Sequence, residues 1–396
     1  MWLRRFGFRF GVVFAGLLIA PFPLDVLPKT GWLVERYGDL WDWAGHRFGD
    51  LIGVDVPPTQ PTGSGDTTIT YMITALVILL ALLAAAIWTG LDRKRSAVYP
   101  RVAAVLRIAL RYWLGYAMLG YGWAKVFKTQ FPFPGGWKLE EPLGQMSPMG
   151  VLWNFMGYST PYNVFAGGME CLGGVLLLSR RTTVLGALVA MATMTNVVAL
   201  NFCYDVPVKL YSTELLVAAI VLLFPDLSRL IAVLLGHSAP PAEIERLTLS
   251  RRWRRIVVAA KFALLALFAY AGIHEELEMR DQFAALESPT DGRYDVVEMT
   301  PPDLGWTRVV IYWQSATIWS HGERQVMYQA TAIEPHTLTL EAKDFKTDLT
   351  YAHAGDTLIL DGMWGTQRLH AVLRERAPTL LETRGFNWIS EFPFHR

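Results

Sequence analysis

As far as Ile273 the apolar residues fall into long runs; after His274 they fall into short alternating ones. Met1 to Leu24 begins with Arg4, Arg5 and Arg9 and stays apolar up to Pro21 and Pro23. It lacks a clear small-x-small cleavage site, so the expectation is a retained first span rather than a signal peptide. Residues 25 to 68 are polar, yet Leu33, Tyr37, Leu40, Ala44, Phe48 and Leu51 recur at helical spacing beside Trp32, Trp41 and Trp43. That pattern predicts a helix lying at a membrane surface. A Pro/Gly/Ser linker from Pro57 follows it.

Further spans are expected at Ile69–Leu91, Val102–Trp123, Tyr162–Leu178, Thr183–Leu200, Lys209–Phe224 and Ile256–Ile273, about seven in all. In the loop from Phe127 to Thr160, Ser147-Pro148 predicts a capped surface helix running to Tyr158. Beyond His274, strands are expected at Trp306–Gln314, Gln325–Ile333, Thr337–Ala342, Thr357–Met363, Arg368–Leu373 and Leu380–Ile389. Gly322, Glu334-Pro335, Gly355-Asp356 and Gly362 to Gly365 punctuate them. The fold class is thus a membrane all-α helical bundle followed by a small antiparallel β barrel or sandwich. The expected divisions are 1–100, two helices with an outer loop; 101–235, a four-helix core; 236–275, an inner loop and the last span; and 276–396, the β domain.

Composition agrees with this pattern. The 396 residues are 52% hydrophobic and 18% charged, with 15 Trp and a formal net charge of +1. The partner implied is a lipid bilayer, and no basic tract with interleaved aromatics speaks for nucleic acid. Cys171 and Cys203 form no CxxC motif and are expected as inert buried thiols; the eight His show no metal-ligand spacing. Arg4-Arg5, Arg93-Lys94-Arg95, Arg180-Arg181 and Arg251 to Arg255 all fall on one side of a seven-span chain. The positive-inside rule then puts the N-terminus inside and the β domain outside.

Polar residues inside the spans are costly and carry the functional expectation. Lys125 ends the third span, Glu170 lies in the fourth, Asn196 and Asn201 close the fifth, and Glu214 lies in the sixth. Asp205 and Lys209 sit at the rim, Tyr204 beside them, and Arg111 is the deepest charge, expected to face the bundle interior. The expectation is a pocket in the outer half of the core. Glu170 and Glu214 are the candidate catalytic, proton-exchanging groups, and Lys125, Arg111, Asn196, Asn201, Asp205, Lys209 and Tyr204 the candidate ligand-binding ones. Buried pairs and amides of this kind also serve simply to fix helix packing.

Arg111-Tyr-Trp-Leu-Gly115, Tyr121-Gly-Trp-Ala-Lys125, Gly167-Gly-Met-Glu170-Cys-Leu-Gly-Gly174, Arg180-Arg-Thr-Thr-Val-Leu-Gly186 and Asn201-Phe-Cys-Tyr-Asp-Val-Pro-Val-Lys209 resemble the DoxX family. That family is built on a four-helix membrane core, and the resemblance covers about residues 101 to 235. Lys125, Glu170, Asn201, Asp205 and Lys209 are the positions matching its pattern. The resemblance implies a redox setting: some relatives are subunits of thiosulfate:quinone oxidoreductases or of quinol oxidase preparations. No haem or flavin motif accompanies the matching residues, so quinone, or a redox partner subunit, is the cofactor source implied. The rival readings are a non-enzymatic scaffold or assembly factor whose β domain recruits an outer-face protein, and a proton-coupled transporter.

Overall fold

The computed structural model describes residues 2–92, 99–239, 250–321, 323–333, 336–385 and 387–392. The basic cluster Arg93-Lys94-Arg95, much of the expected inner loop and the turn residues Gly322 and Glu334-Pro335 lie outside the described residues. The chain divides into two compact units. The first is Met1–Phe127 with Asn163–Glu275, and the second is Lys128–Tyr162 with Glu276–Arg396.

The helices of the first unit are α1 (Trp2–Ile19), α2 (Gly31–Ile52), α3 (Thr68–Leu91) and α4 (Pro100–Val126). After α5 (Pro148–Tyr158), which belongs to the second unit, come α6 (Thr160–Leu177), α7 (Thr183–Cys203), α8 (Lys209–Leu223), α9 (Leu227–Leu234) and α10 (Arg251–Ala285). Six stretches are long and apolar enough to cross a membrane: Trp2–Val26, Thr68–Leu91, Pro100–Val126, Thr183–Cys203, Lys209–Leu234 and Arg251–Ala285. The expected crossing at Tyr162–Leu178 is not one of them. Its helix, α6, has 18 residues, and Glu170, Asn163 and four glycines dilute its apolar character. Two boundaries also differ from expectation. The first helix stops at Ile19 ahead of Pro21 and Pro23, and α10 runs twelve residues past Ile273 because no Gly or Pro interrupts Glu275 to Ala285.

The core of this unit is apolar and tightly shared: Leu114, Met118, Leu177, Ala187, Ala190, Met194, Leu215 and Ala219 have no exposed surface. One charge enters it as half of an ion pair. Arg9, fully buried in α1, reaches the carboxylate of Asp92 at 3.4 Å and lies 5.5 Å from the Trp88 ring centroid, fastening α1 to the end of α3.

The second unit is built on a closed antiparallel barrel. Its strands are β1 (Gly292–Thr300), β2 (Trp306–Tyr312), β3 (Ser315–Ser320), β4 (Glu323–Ile333), β5 (Thr337–Ala342), β6 (Phe345–Ala354), β7 (Thr357–Trp364) and β8 (Gln367–Glu375). Each pairs with the next, and β8 closes on β1 from Tyr294↔Glu375 to Thr300↔His370. Closure leaves no free edge to pair with another chain. Leu338, Leu349, Leu358, Leu369, Ala371 and Leu373 fill the interior completely buried, so this barrel is packed and not hollow.

Three strands escaped the sequence reading. On β6, Lys346, Asp348 and Thr350 point out while Thr347, Leu349 and Tyr351 point in, so the alternation exists but its inward members include a threonine. On β1 Asp295 and Glu298 break the apolar signal, and β3 is buried along nearly its whole length, which erases alternation. The expected strand at Leu380–Ile389 is not one. Thr379 and Glu382 form a capping box that starts the short helix α11 (Leu380–Thr383).

The segment between α4 and α6 belongs with the barrel. Glu140, almost fully buried, accepts from Arg308 at 3.0 Å, from Arg293 at 3.4 Å and from Arg376. Arg293 also meets Glu382 of α11 at 2.6 Å. Gly136 lies flat against the Tyr312 ring with φ of 59°, where a Cβ would stand 2.7 Å from the Tyr312 Cβ. Ser147 caps α5 as expected, accepting from the Gly150 N–H at 3.0 Å.

Candidate functional site

Small residues let α4 and α6 approach to backbone contact. Gly115 and Gly122 on α4 oppose Gly174 and Gly167 on α6, two contacts one heptad apart on antiparallel helices. A Cβ at Gly122 would lie 2.7 Å from the Gly167 carbonyl oxygen and 2.9 Å from the Cys171 nitrogen. This seam carries Lys125 to Glu170: their charged atoms are 2.9 Å apart, with side chains only 6% and 3% exposed. The Lys125 Nζ also donates to the Tyr121 carbonyl at 3.3 Å and sits 5.1 Å from the Tyr121 ring centroid.

From Tyr121 an aromatic path leads to α8. The Tyr121 and Tyr211 rings are 6.1 Å apart, and Trp113 meets Tyr211 edge-on at 6.4 Å. Glu214 stands one turn beyond Tyr211 on the same face of α8, half-buried. Among the described residues no side chain or backbone group hydrogen-bonds or ion-pairs with it. The two candidate acids thus sit in different states, Glu170 clasped by a lysine and Glu214 without a partner.

A second polar group holds the α7–α8 turn. The Asn201 amide donates to Ser212 Oγ at 3.0 Å, and Ser212 donates to the Lys209 carbonyl at 3.0 Å. Asp66, from the linker before α3, accepts from the backbone N–H groups of Lys209 and Leu210 at 2.8 and 3.0 Å. It is the N-cap carboxylate of α8, supplied from far along the chain. The Lys209 ammonium pairs with Asp205 at 2.8 Å and approaches Asp66 at 3.8 Å. Asn201, Asp205 and Lys209 are thereby occupied in shaping the turn. Sequence spacing could not find Asp66, because nothing local marks a cap that comes from elsewhere in the chain.

The remaining candidates lie apart from both groups. Asn196 is exposed on α7, and Tyr204 is exposed at its end. Arg111 is half-buried and stands apart from the others. It donates to Thr183 Oγ1 at 3.4 Å, at the start of α7 and so at the opposite end of the bundle from Asn201. The expected inert buried thiols differ too: both cysteines are free, but Cys203 is exposed.

The comparisons with known proteins fall on this same stretch. The DoxX family model matches residues 106–203, from α4 to the end of α7. An uncharacterized protein of Bacillus subtilis strain 168, YwoB, is 37% identical over 134 residues, which is 34% of this chain and 82% of that relative. The chain belongs to the DoxX family. The DoxX match contains the Gly115–Gly174 and Gly122–Gly167 contacts and the Lys125–Glu170 pair; Asp205, Lys209 and Glu214 lie past its end. No solved structure matches the chain.

Within the second unit a groove of about 640 Å³ is lined by Leu139, Leu143, Met146, Phe155, Tyr158 and Leu381, among others, and of its lining only Leu381 falls outside the DoxX match. None of the nine candidate residues lines it.

Proposed function

We propose that this DoxX protein is redox-associated and receives a quinone- or lipid-sized headgroup on the seam between α4 and α8. Glu214 exchanges the proton, and Tyr121 and Tyr211 supply the aromatic walls and hydroxyl donors. The observation that carries this reading is the Glu214 carboxyl, which has no partner among the described residues and stands where α8 becomes wholly apolar from Leu215 to Leu223, since an intramembrane acid without a counter-charge is retained at a cost. Glu170 is the positioning partner of Lys125, whose ammonium backs the Tyr121 ring. A quinone would supply the electron chemistry; the residues named here orient its carbonyls and hold a proton at the Glu214 carboxyl. This gives Glu214, not Glu170, the proton-exchanging role.

The same reading puts the protein in a bacterial inner membrane, N-terminus inside and barrel outside. Arg107, Arg111, Arg180, Arg181 and Lys261 gather toward one end of the α4–α10 bundle, which supports that orientation.

The test uses the full chain in nanodiscs titrated with ubiquinone and menaquinone analogues. Glu214→Gln is expected to weaken binding about tenfold, the loss of one charge-assisted hydrogen bond. No quinone binding by the wild type, or equal binding by the variant, would sink the assignment. The scaffold reading draws on the mutual satisfaction of Lys125 and Glu170, and it predicts that neither acid affects any ligand response.

A further inference from the structure

At the end of the bundle opposite the Lys125–Glu170 pair, two cations share one aromatic ring. The Arg111 guanidinium lies 5.0 Å and the Lys261 ammonium 5.9 Å from the Tyr112 ring centroid. They come from different helices, α4 and α10, each about 15 Å in from its helix start at 1.5 Å per residue. Both lie within stretches long and apolar enough to cross a membrane, where a bare charge is costly.

Their contacts inside the chain are all to neutral oxygens. Lys261 Nζ donates to the Leu178 carbonyl at 2.7 Å and Arg111 to the Thr183 hydroxyl at 3.4 Å, and the Arg111 Nε is buried with no hydrogen-bond acceptor. Neither cation has a carboxylate partner among the described residues. The contrast with their neighbour is direct: Arg107, one turn below Arg111, meets Asp226 at 2.7 Å, and Asp226 is shared with Arg229 at 2.6 Å. Asp226 is therefore already taken. Contacts to carbonyl and hydroxyl dipoles orient Arg111 and Lys261, and among the described residues no carboxylate balances their two positive charges.

We infer that Arg111, Lys261 and Tyr112 form a binding site for a phosphate monoanion or diester, filled by the headgroup of an anionic membrane phospholipid. Both side chains are only partly buried, so an anion can reach them from the bundle surface. Arg111 offers the guanidinium fork that suits phosphate, and Lys261 a point charge beside it. Exposed Arg180 and Arg181, on the same α6–α7 turn as Leu178 and Thr183, extend the basic surface outward. Val257, Val258 and Phe262 on α10 are exposed apolar residues within four positions of Lys261, the surface an acyl chain would cover. Basic pockets between helices at the cytoplasmic side are suited to such headgroups. The site lies away from Glu214 and does not depend on the quinone reading.

The full chain in phosphatidylcholine nanodiscs or detergent, analysed by native mass spectrometry and thermal unfolding, tests this site. Phosphatidylglycerol or cardiolipin should be retained at least tenfold over phosphatidylcholine and should raise the unfolding midpoint. Arg111→Gln with Lys261→Gln should abolish both effects. Lys261→Gln alone, which keeps the α4 side intact, should lose part of the retention if the double variant does not fold. Inorganic phosphate at millimolar concentration forms the second arm. Failure to displace the lipid assigns the lipid as source, and displacement assigns free phosphate to the same residues. Equal retention of phosphatidylglycerol and phosphatidylcholine by the wild type, or undiminished retention in the Lys261→Gln protein, would overturn the site.

Discussion

Glu170 and Glu140 are both nearly buried acids, one in each unit, and they are neutralised in opposite ways. Glu170 has a single lysine at 2.9 Å, and both partners are sealed from solvent. Glu140 has three arginines, of which Arg308 and Arg376 are about a third exposed, while Arg376 also reaches Asp295 at 3.3 Å. At the Lys125–Glu170 pair charge cancels locally and one to one, because no water is at hand to absorb an imbalance. On the barrel, water and further acids accept the surplus. The difference teaches that the same residue type reads as a fixed pair in one unit and as a clamp between chain segments in the other.

Breaking the sealed pair should have the largest effect. Lys125→Ala or Glu170→Ala alone is expected to cost about 3 kcal/mol, because the survivor is left buried without its counter-charge. The double Lys125→Met, Glu170→Leu variant should recover most of that. Thermal unfolding in detergent gives the cycle, and additive single losses would remove the pair's special status. Next comes the seam beneath it. Gly122→Val should cost about 2 kcal/mol, since the new Cβ meets the Gly167 and Cys171 backbone as well as the Cys171 sulfur, and the backbone cannot move aside. Glu140→Gln should cost less than the sealed pair, about 1–2 kcal/mol, and the loss should shrink with added salt. Hydrogen exchange confined to the barrel and to residues 128–162 would locate it.

The smallest effect sharpens the barrel side. Burial raises the Asp291 carboxyl above its ordinary range, even though it accepts from the Ser288 and Trp313 amides at 3.3 and 3.4 Å. An acid whose folded pKa is raised contributes stability that is fully present below its unfolded pKa and is lost as pH rises through the folded one. Asp291→Asn keeps an acceptor for both amides without the charge. It should raise the barrel's midpoint by about 2 °C or less at neutral pH and leave it unchanged in acid. A midpoint shift of equal size at every pH would show that ionisation is not the cause.

Long apolar runs are a strong local signal, and six of the seven expected crossings correspond to helices of sufficient length and apolarity. The β domain was legible as a class from His274 onward, but its strand number was not. β1 and β3 rely on closure of the barrel, and not on their own alternation, to become strands, while β6 alternates but with a threonine among its inward members. Lys125, Glu170 and the glycine-rich α6 were legible as a motif, because a polar group among apolar residues stands out in any membrane sequence.

By itself, the order of residues determined what depends on neighbours a few positions away: helices, caps such as Ser147, the basic ends and the DoxX pattern. Only the tertiary structure decided which charges meet. Lys125 could have paired with Glu214, and Arg111 could have joined the same group. Instead the Gly122–Gly167 contact sets the register of α4 on α6, delivers Lys125 to Glu170 and leaves Glu214 alone. It also leaves Arg111 beside Lys261 at the far end. Pairing energy falls off within a few ångströms, so one heptad of helix register, invisible along the chain, chooses the partners.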